Sequence, residues 1–132
     1  TDESGETALM VAIRQRAIAC VGALVDAKAD ITAEKNNGMT PLMLAAFLGR
    51  ATDLQQLIDA KADLEAKDDI RRTALVWGVE GGSNGCVELL IDAKADIDAK
   101  DNYGRTALMM ASYVRATECL RLLIAANADI YA

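Results

Sequence analysis

Apolar residues fall along this chain in paired bursts at helical spacing. Leu9, Ala12 and Ile13 stand at i, i+3 and i+4, and after a short break Val21, Leu24 and Val25 repeat the pattern. Each pair of bursts predicts two short helices. The pattern recurs every 33 residues, so that cutting the chain before Gly5, Gly38, Arg71 and Gly104 aligns GETALMVAI with GMTPLMLAA, RRTALVWGV and GRTALMMAS. The first three segments close on DAKAD and the fourth on AANAD, with no insertion. One domain over 1–132 is expected, with repeats at about 5–37, 38–70, 71–103 and 104–132. Columns that stay apolar predict its interior: Leu9, Leu42, Leu75 and Leu108; Leu24, Leu57, Leu90 and Leu123; Val25, Ile58, Ile91 and Ile124.

Thr7, Thr40, Thr73 and Thr106 precede the first burst of each unit, where a hydroxyl can accept from an orphan amide of the first helical turn. Pro41 follows one of them at a position where a missing N–H costs nothing. These threonines are the expected N-caps. Stretches such as Ala-Lys-Asp-Asn-Tyr-Gly at 99–104 favour tight turns, so a projecting β-turn or hairpin loop is expected between units. A helix pair this short has no second layer over its apolar face and must stack on its neighbours. The predicted architecture is an all-α solenoid of four stacked helix-turn-helix units.

A unit of this length, built as turn, helix and helix with Thr-Pro-Leu-x-x-Ala at its first helix, resembles the ankyrin repeat. The residues that carry the resemblance are Thr40, Pro41, Leu42 and Ala45, then Thr7-Ala8-Leu9, Thr73-Ala74-Leu75 and Thr106-Ala107-Leu108. It continues through Ala29-Asp30-Ile31, Ala62-Asp63-Leu64, Ala95-Asp96-Ile97 and Ala128-Asp129-Ile130, and so spans the whole chain. Two departures stand out. The histidine usual after Thr-Pro-Leu is replaced by Met10, Met43, Val76 and Met109, so apolar packing must substitute for its hydrogen bonds. The left-handed glycine usual after the second helix is replaced by Lys28, Lys61, Lys94 and Asn127. Keeping that conformation without glycine costs about 1 kcal/mol per lysine. Neither terminal unit has the polar outer face of a capping repeat, and the sequence therefore reads as a segment of a longer array or multidomain protein.

Composition narrows the function. With 132 residues, 52% of them hydrophobic, the chain can bury one modest core. The net charge of −6 argues against a nucleic-acid backbone as partner. The chain contains no histidine, which removes the commonest general base, zinc nitrogen ligand and pH switch together. No nucleophile and base pair emerges either, so neither catalysis nor a cofactor nor a metal is expected. Three widely spaced cysteines suit a reducing, cytoplasmic or nuclear setting. Apolar stretches such as 39–49 fall short of the ~18 residues that cross a bilayer, so no membrane partner is expected.

Cys20, Cys86 and Cys119 share one repeat column with Asp53, and small apolar residues packed among the second helices are expected there rather than a redox or metal ladder. Asp96, Asp98 and Asp101 lack the glycine and distal glutamate of a calcium loop. Gly78, Gly81, Gly82 and Gly85 lack the spacing and lysine of a phosphate cradle; Gly78 and Gly81 are expected to loosen the third unit.

The resemblance implies a monomeric protein–protein interaction module that uses its turn tips and the exposed side of its first helices, which line a concave groove. Matched by position, that surface includes Phe47, Trp77, Tyr103 and Tyr113, with Arg72, Arg105, Met39, Ile70 and Glu80 beside them. Large rigid aromatics and arginine dominate measured interface energies, so these are the candidate partner-binding residues, the arginines selecting an acidic feature. Packing between neighbouring first helices is the competing role for Trp77, and solvated turn charge for Arg71, Arg72 and Arg105. A structural spacer, a regulatory segment of a longer protein and an engineered or reconstructed scaffold stay open as alternatives.

Overall fold

The computed structural model describes residues 1–131. It contains eight helices: α1 (Ala8–Arg14), α2 (Ile18–Asp26), α3 (Pro41–Leu48), α4 (Ala51–Asp59), α5 (Ala74–Glu80), α6 (Asn84–Asp92), α7 (Ala107–Tyr113) and α8 (Thr117–Ala125). First helices begin at 8, 41, 74 and 107 and second helices at 18, 51, 84 and 117, so both series keep the 33-residue spacing. No strand occurs among the described residues. Each pair packs internally, first helices pack on first helices and second helices on second helices, which makes a two-layered linear stack.

The threonine caps form in three units. Thr7, Thr40 and Thr106 accept from the amides of Met10, Met43 and Met109 at 3.3, 3.3 and 3.4 Å. Thr73 keeps the extended cap backbone, yet its buried hydroxyl bonds nothing. After each second helix the chain turns through the left-handed region, with φ of 63° at Lys28, 67° at Lys61, 69° at Lys94 and 66° at Asn127. This turn returns the amides of Ala29, Ala62, Ala95 and Ala128 to the carbonyls of Leu24, Leu57, Leu90 and Leu123 at 2.9 to 3.1 Å. Orphan carbonyls at the helix ends are thereby satisfied, which offsets the strain of a non-glycine residue.

Leu9, Leu42 and Leu75 are buried, as are Leu57, Leu90 and Leu123, and Met10, Met43 and Val76 fill the interior beside them. The Met43 sulfur also accepts weakly from the Thr40 amide at 3.5 Å, so one methionine partly reproduces a polar tie. The third apolar column departs from expectation. Val25, Ile58 and Ile91 are only half-buried and Ile124 is 51% exposed, and in the other two columns Leu24 and Leu108 are half-buried.

Two glycines of the third unit stand where a side chain would crowd its neighbours. Gly81 caps α5 instead of interrupting it, and a Cβ there would collide with the Phe47 carbonyl oxygen of the preceding unit. A Cβ on Gly78 would stand 3.3 Å from Val87 Cγ2 and 3.7 Å from the Ala46 Cβ. Gly81 thus lets the backbones of successive units approach closely, and Gly78 leaves room for the Val87 side chain of its own unit.

Candidate functional site

Each unit opens in a hairpin finger closed by a backbone bond. Asp2 N donates to the Glu6 carbonyl, Lys35 N to Met39, Asp68 N to Arg72 and Asp101 N to Arg105, all at 2.9 to 3.1 Å. The fingers stack through the amides of Asn36, Asp69 and Asn102, which donate to the carbonyls of Ser4, Asn37 and Ile70 at 3.0, 3.2 and 2.9 Å. The row of tips is therefore ordered by main-chain bonds. In three units an aspartate fixes its own finger: Asp2 Oδ1 accepts from the amides of Ser4 and Glu6, Asp68 Oδ1 from Ile70 and Arg72, and Asp101 Oδ1 from Tyr103 and Arg105. Burial pushes the Asp101 carboxyl up, but the bonds from Arg105 and Tyr103 outweigh it and hold the group below its ordinary 3.8.

The second oxygens of Asp68 and Asp101 take the Nε groups of Arg72 and Arg105 at 2.9 and 2.8 Å. Arg72 also reaches Glu80 at 3.0 Å and lies 3.8 Å from the centre of the Trp77 ring. Trp77 donates its Nε1–H to Asp68 at 3.1 Å and meets Phe47 edge to face at 5.3 Å. One cluster thus gathers Phe47, Arg72, Trp77 and Glu80 around the buried Asp68.

Within this cluster Trp77 is only 8% exposed and its polar atom is already bonded. The packing role considered for it in the sequence is the one the geometry supplies. Met39 is likewise buried, and Ile70 and Glu80 are half-buried. Of the candidate aromatic side chains, Phe47 is 38%, Tyr103 70% and Tyr113 74% exposed. Arg105 lies 4.8 Å from the Tyr103 ring, and Tyr113 borders an open hollow of about 310 Å³ with Met109 and Ser112. Both candidate arginines have carboxylate partners within the chain. The sequence reading missed Asp68 and Asp101, although each stands four residues before its arginine. Glu6, a turn-tip residue at the position that Arg72 and Arg105 hold in later units, pairs with Arg14 at 2.9 Å and lies 3.9 Å from Lys35, pairings the sequence reading did not make.

The cysteine column splits. Cys86 and Cys119 are buried against the preceding unit, near the Ala45 carbonyl at 3.8 Å and Asn84 Oδ1 at 3.2 Å. Burial pushes the Cys86 thiol up to about 11 and raises that of Cys119 as well, which disfavours the thiolate that redox or metal chemistry requires. Cys20 is exposed, contrary to expectation. Asp53 occupies the same column, is 1% exposed, and has both carboxylate oxygens without a partner. The nearby Arg50 guanidinium bonds the carbonyls of Ile13 and Leu48 at 3.3 and 3.1 Å. Burial raises the Asp53 carboxyl, and the charge of Arg50 opposes this only in part.

The acidic run at 96–101 serves the stack. Asp96 N donates to Glu65 Oε2 and Asp129 N to Asp98 Oδ1, both at 2.9 Å, so carboxylates of one unit tie the backbone of the next. Asp96 Oδ1 caps its own turn by accepting from Asp98 N at 3.0 Å. Among the described residues no helix is long and apolar enough to cross a membrane.

Among curated proteins, none matches the chain. The family model described as ankyrin repeats in three copies matches residues 1–68 and again 53–132. With helix pairs recurring every 33 residues along a linear stack, the chain belongs to the ankyrin repeat family.

Proposed function

We propose that this chain is a protein-binding module whose docking surface is the side formed by the finger tips and the first helices. Ankyrin repeats are in general protein–protein interaction modules, which supplies the class. The observation that carries the finer reading is the exposure of Phe47, Tyr103 and Tyr113 along that side, on a backbone whose fingers are tied to one another. Rigid aromatic groups on an ordered scaffold lose little entropy on binding, which makes them efficient anchors. Arg72, Trp77 and Glu80 act in this reading as the packed support of Phe47. Arg105 positions the Tyr103 ring, and Met39 and Ile70 hold the fingers from beneath. With both arginines matched by internal carboxylates, the reading assigns recognition to aromatic contact and not to selection of an acidic partner. Intrinsic catalysis has no place in it.

The test is affinity capture with the wild-type chain and the Tyr103→Ala/Tyr113→Ala double variant, followed by affinity measurement on any protein recovered. Both rings lie outside the core, so the thermal melt is expected to stay unchanged while binding weakens by about 2 kcal/mol, some thirtyfold. Equal binding by both chains would remove these rings from the docking surface.

A further inference from the structure

The dipeptide Asn-Gly occurs twice, at Asn37–Gly38 and Asn84–Gly85, and the fold treats the two unequally. A glycine after asparagine puts no side chain in the way of its own amide nitrogen, which can attack the neighbouring Asn Cγ. At Asn37 that nitrogen is engaged. Gly38 is buried in the finger and its N–H donates to the Lys35 carbonyl at 2.9 Å, while Asn37 Oδ1 accepts from the Met39 amide at 3.1 Å. At Asn84 it is free. Gly85 is the second residue of α6, where an amide has no intrahelical acceptor, and among the described residues it bonds no other backbone carbonyl. Ser83 supplies no side-chain cap, both Asn84 and Gly85 are exposed, and the space around Gly85 is open. Helix ends also fray, which lets Asn84 leave the helical backbone angle for ring closure.

We propose that Asn84 is a site of spontaneous covalent modification, converting in water to aspartate and isoaspartate, while the finger protects Asn37. The Gly85 nitrogen bonds to Asn84 Cγ as its proton passes to solvent, and the Cγ–Nδ2 bond breaks, Nδ2 taking up a proton and leaving as ammonia. Water then opens the five-membered ring. Cleavage of the new N–Cγ bond leaves aspartate, and cleavage of the original peptide bond leaves isoaspartate, whose main chain runs through Cβ and Cγ. One water is consumed and one ammonia released, with no change of oxidation state. The aspartate product puts a negative charge at the start of α6, where the helix dipole favours it. The isoaspartate product lengthens the main chain there and shifts the oxygen that Cys119 Sγ meets at 3.2 Å, which loosens the junction between the third and fourth units.

Peptide mapping of the full chain, aged in mildly alkaline buffer with and without denaturant, tests this. Trypsin places the two sites on separate peptides. In the folded chain Asn84 should convert about tenfold faster than Asn37, the rate equivalent of the hydrogen bond that Gly38 must break. In the denatured chain the two rates should become alike. Gly85→Ala, whose added Cβ meets nothing within 4 Å, should slow the reaction at Asn84 and keep the helical circular dichroism. Equal rates at the two sites in the folded chain, a faster reaction at Asn37, or an Asn84 that converts only after denaturation would overturn the proposal. So would a Gly85→Ala chain that converts undiminished, or a difference between the sites that persists in denaturant and so stems from local sequence.

Discussion

Replacing Asp68 with alanine is expected to destabilise the chain by about 3 to 4 kcal/mol, because removing one member of a buried, hydrogen-bonded ion pair leaves its partners without compensation. Four donors converge on this carboxylate: the amides of Ile70 and Arg72, the Arg72 guanidinium and the Trp77 indole. Without it, Arg72 retains only Glu80, and the indole N–H is left buried without an acceptor. Chemical denaturation checks this. Asp68→Asn, which keeps one acceptor oxygen and loses the charge, should fall between the wild type and the alanine variant. A loss below about 1 kcal/mol, the net worth of a single ordinary hydrogen bond, would mean that the cluster is not organised around this residue.

Asp53→Cys is expected to act in the opposite direction and stabilise the chain by about 2 to 3 kcal/mol, since it removes an uncompensated buried carboxylate. Cysteine is what the column holds in the other three units, and the site is already shaped for a side chain of that size. Part of the penalty is relieved in the wild type by the position of Asp53 in the first turn of α4, which is why the gain lies below the full cost of an isolated buried charge. The pH dependence has a definite sign. The folded-state carboxyl lies above its ordinary 3.8, so the contribution of Asp53 is most favourable below that value, where the group is protonated folded or unfolded. That contribution is lost as pH rises through the raised folded-state value. The advantage of Asp53→Cys should therefore vanish in acid and be full near neutrality. Comparing the two chains at each pH isolates this residue from Asp101, whose lowered carboxyl contributes with the opposite sign. A difference independent of pH would refute the electrostatic cause.

The repeat register and the paired helices were legible because stacking imposes the same demand on every unit. Leu57 and Leu90 occupy one environment, and a column that never varies reveals it. The left-handed turns at Lys28, Lys61 and Lys94 were not fixed by the lysines themselves: the bond back to the second-helix leucine sets the geometry, and lysine tolerates it. At Trp77 two signals in the sequence compete. Its column holds Val11, Leu44 and Met110, all apolar, which points to the interior, whereas the aromatic ring itself points to an interface anchor. Gly81 could not be understood from its own helix. Helix propensity counts it as a defect, whereas its cause is the Phe47 backbone of the neighbouring unit. Cys20 and Ile124 depart from their columns, both side chains being exposed.

The account depends on units 33 residues apart lying face to face with the second-helix leucines between them. Relaxation of assigned methyl resonances by a soluble paramagnetic agent, on the dilute chain, measures this directly. The methyls of Leu57, Leu90 and Leu123 should be nearly unaffected, while those of Ile124 and Ile130 relax strongly. Leucine methyls at 57 and 90 that relax as fast as those of Ile130 would contradict it.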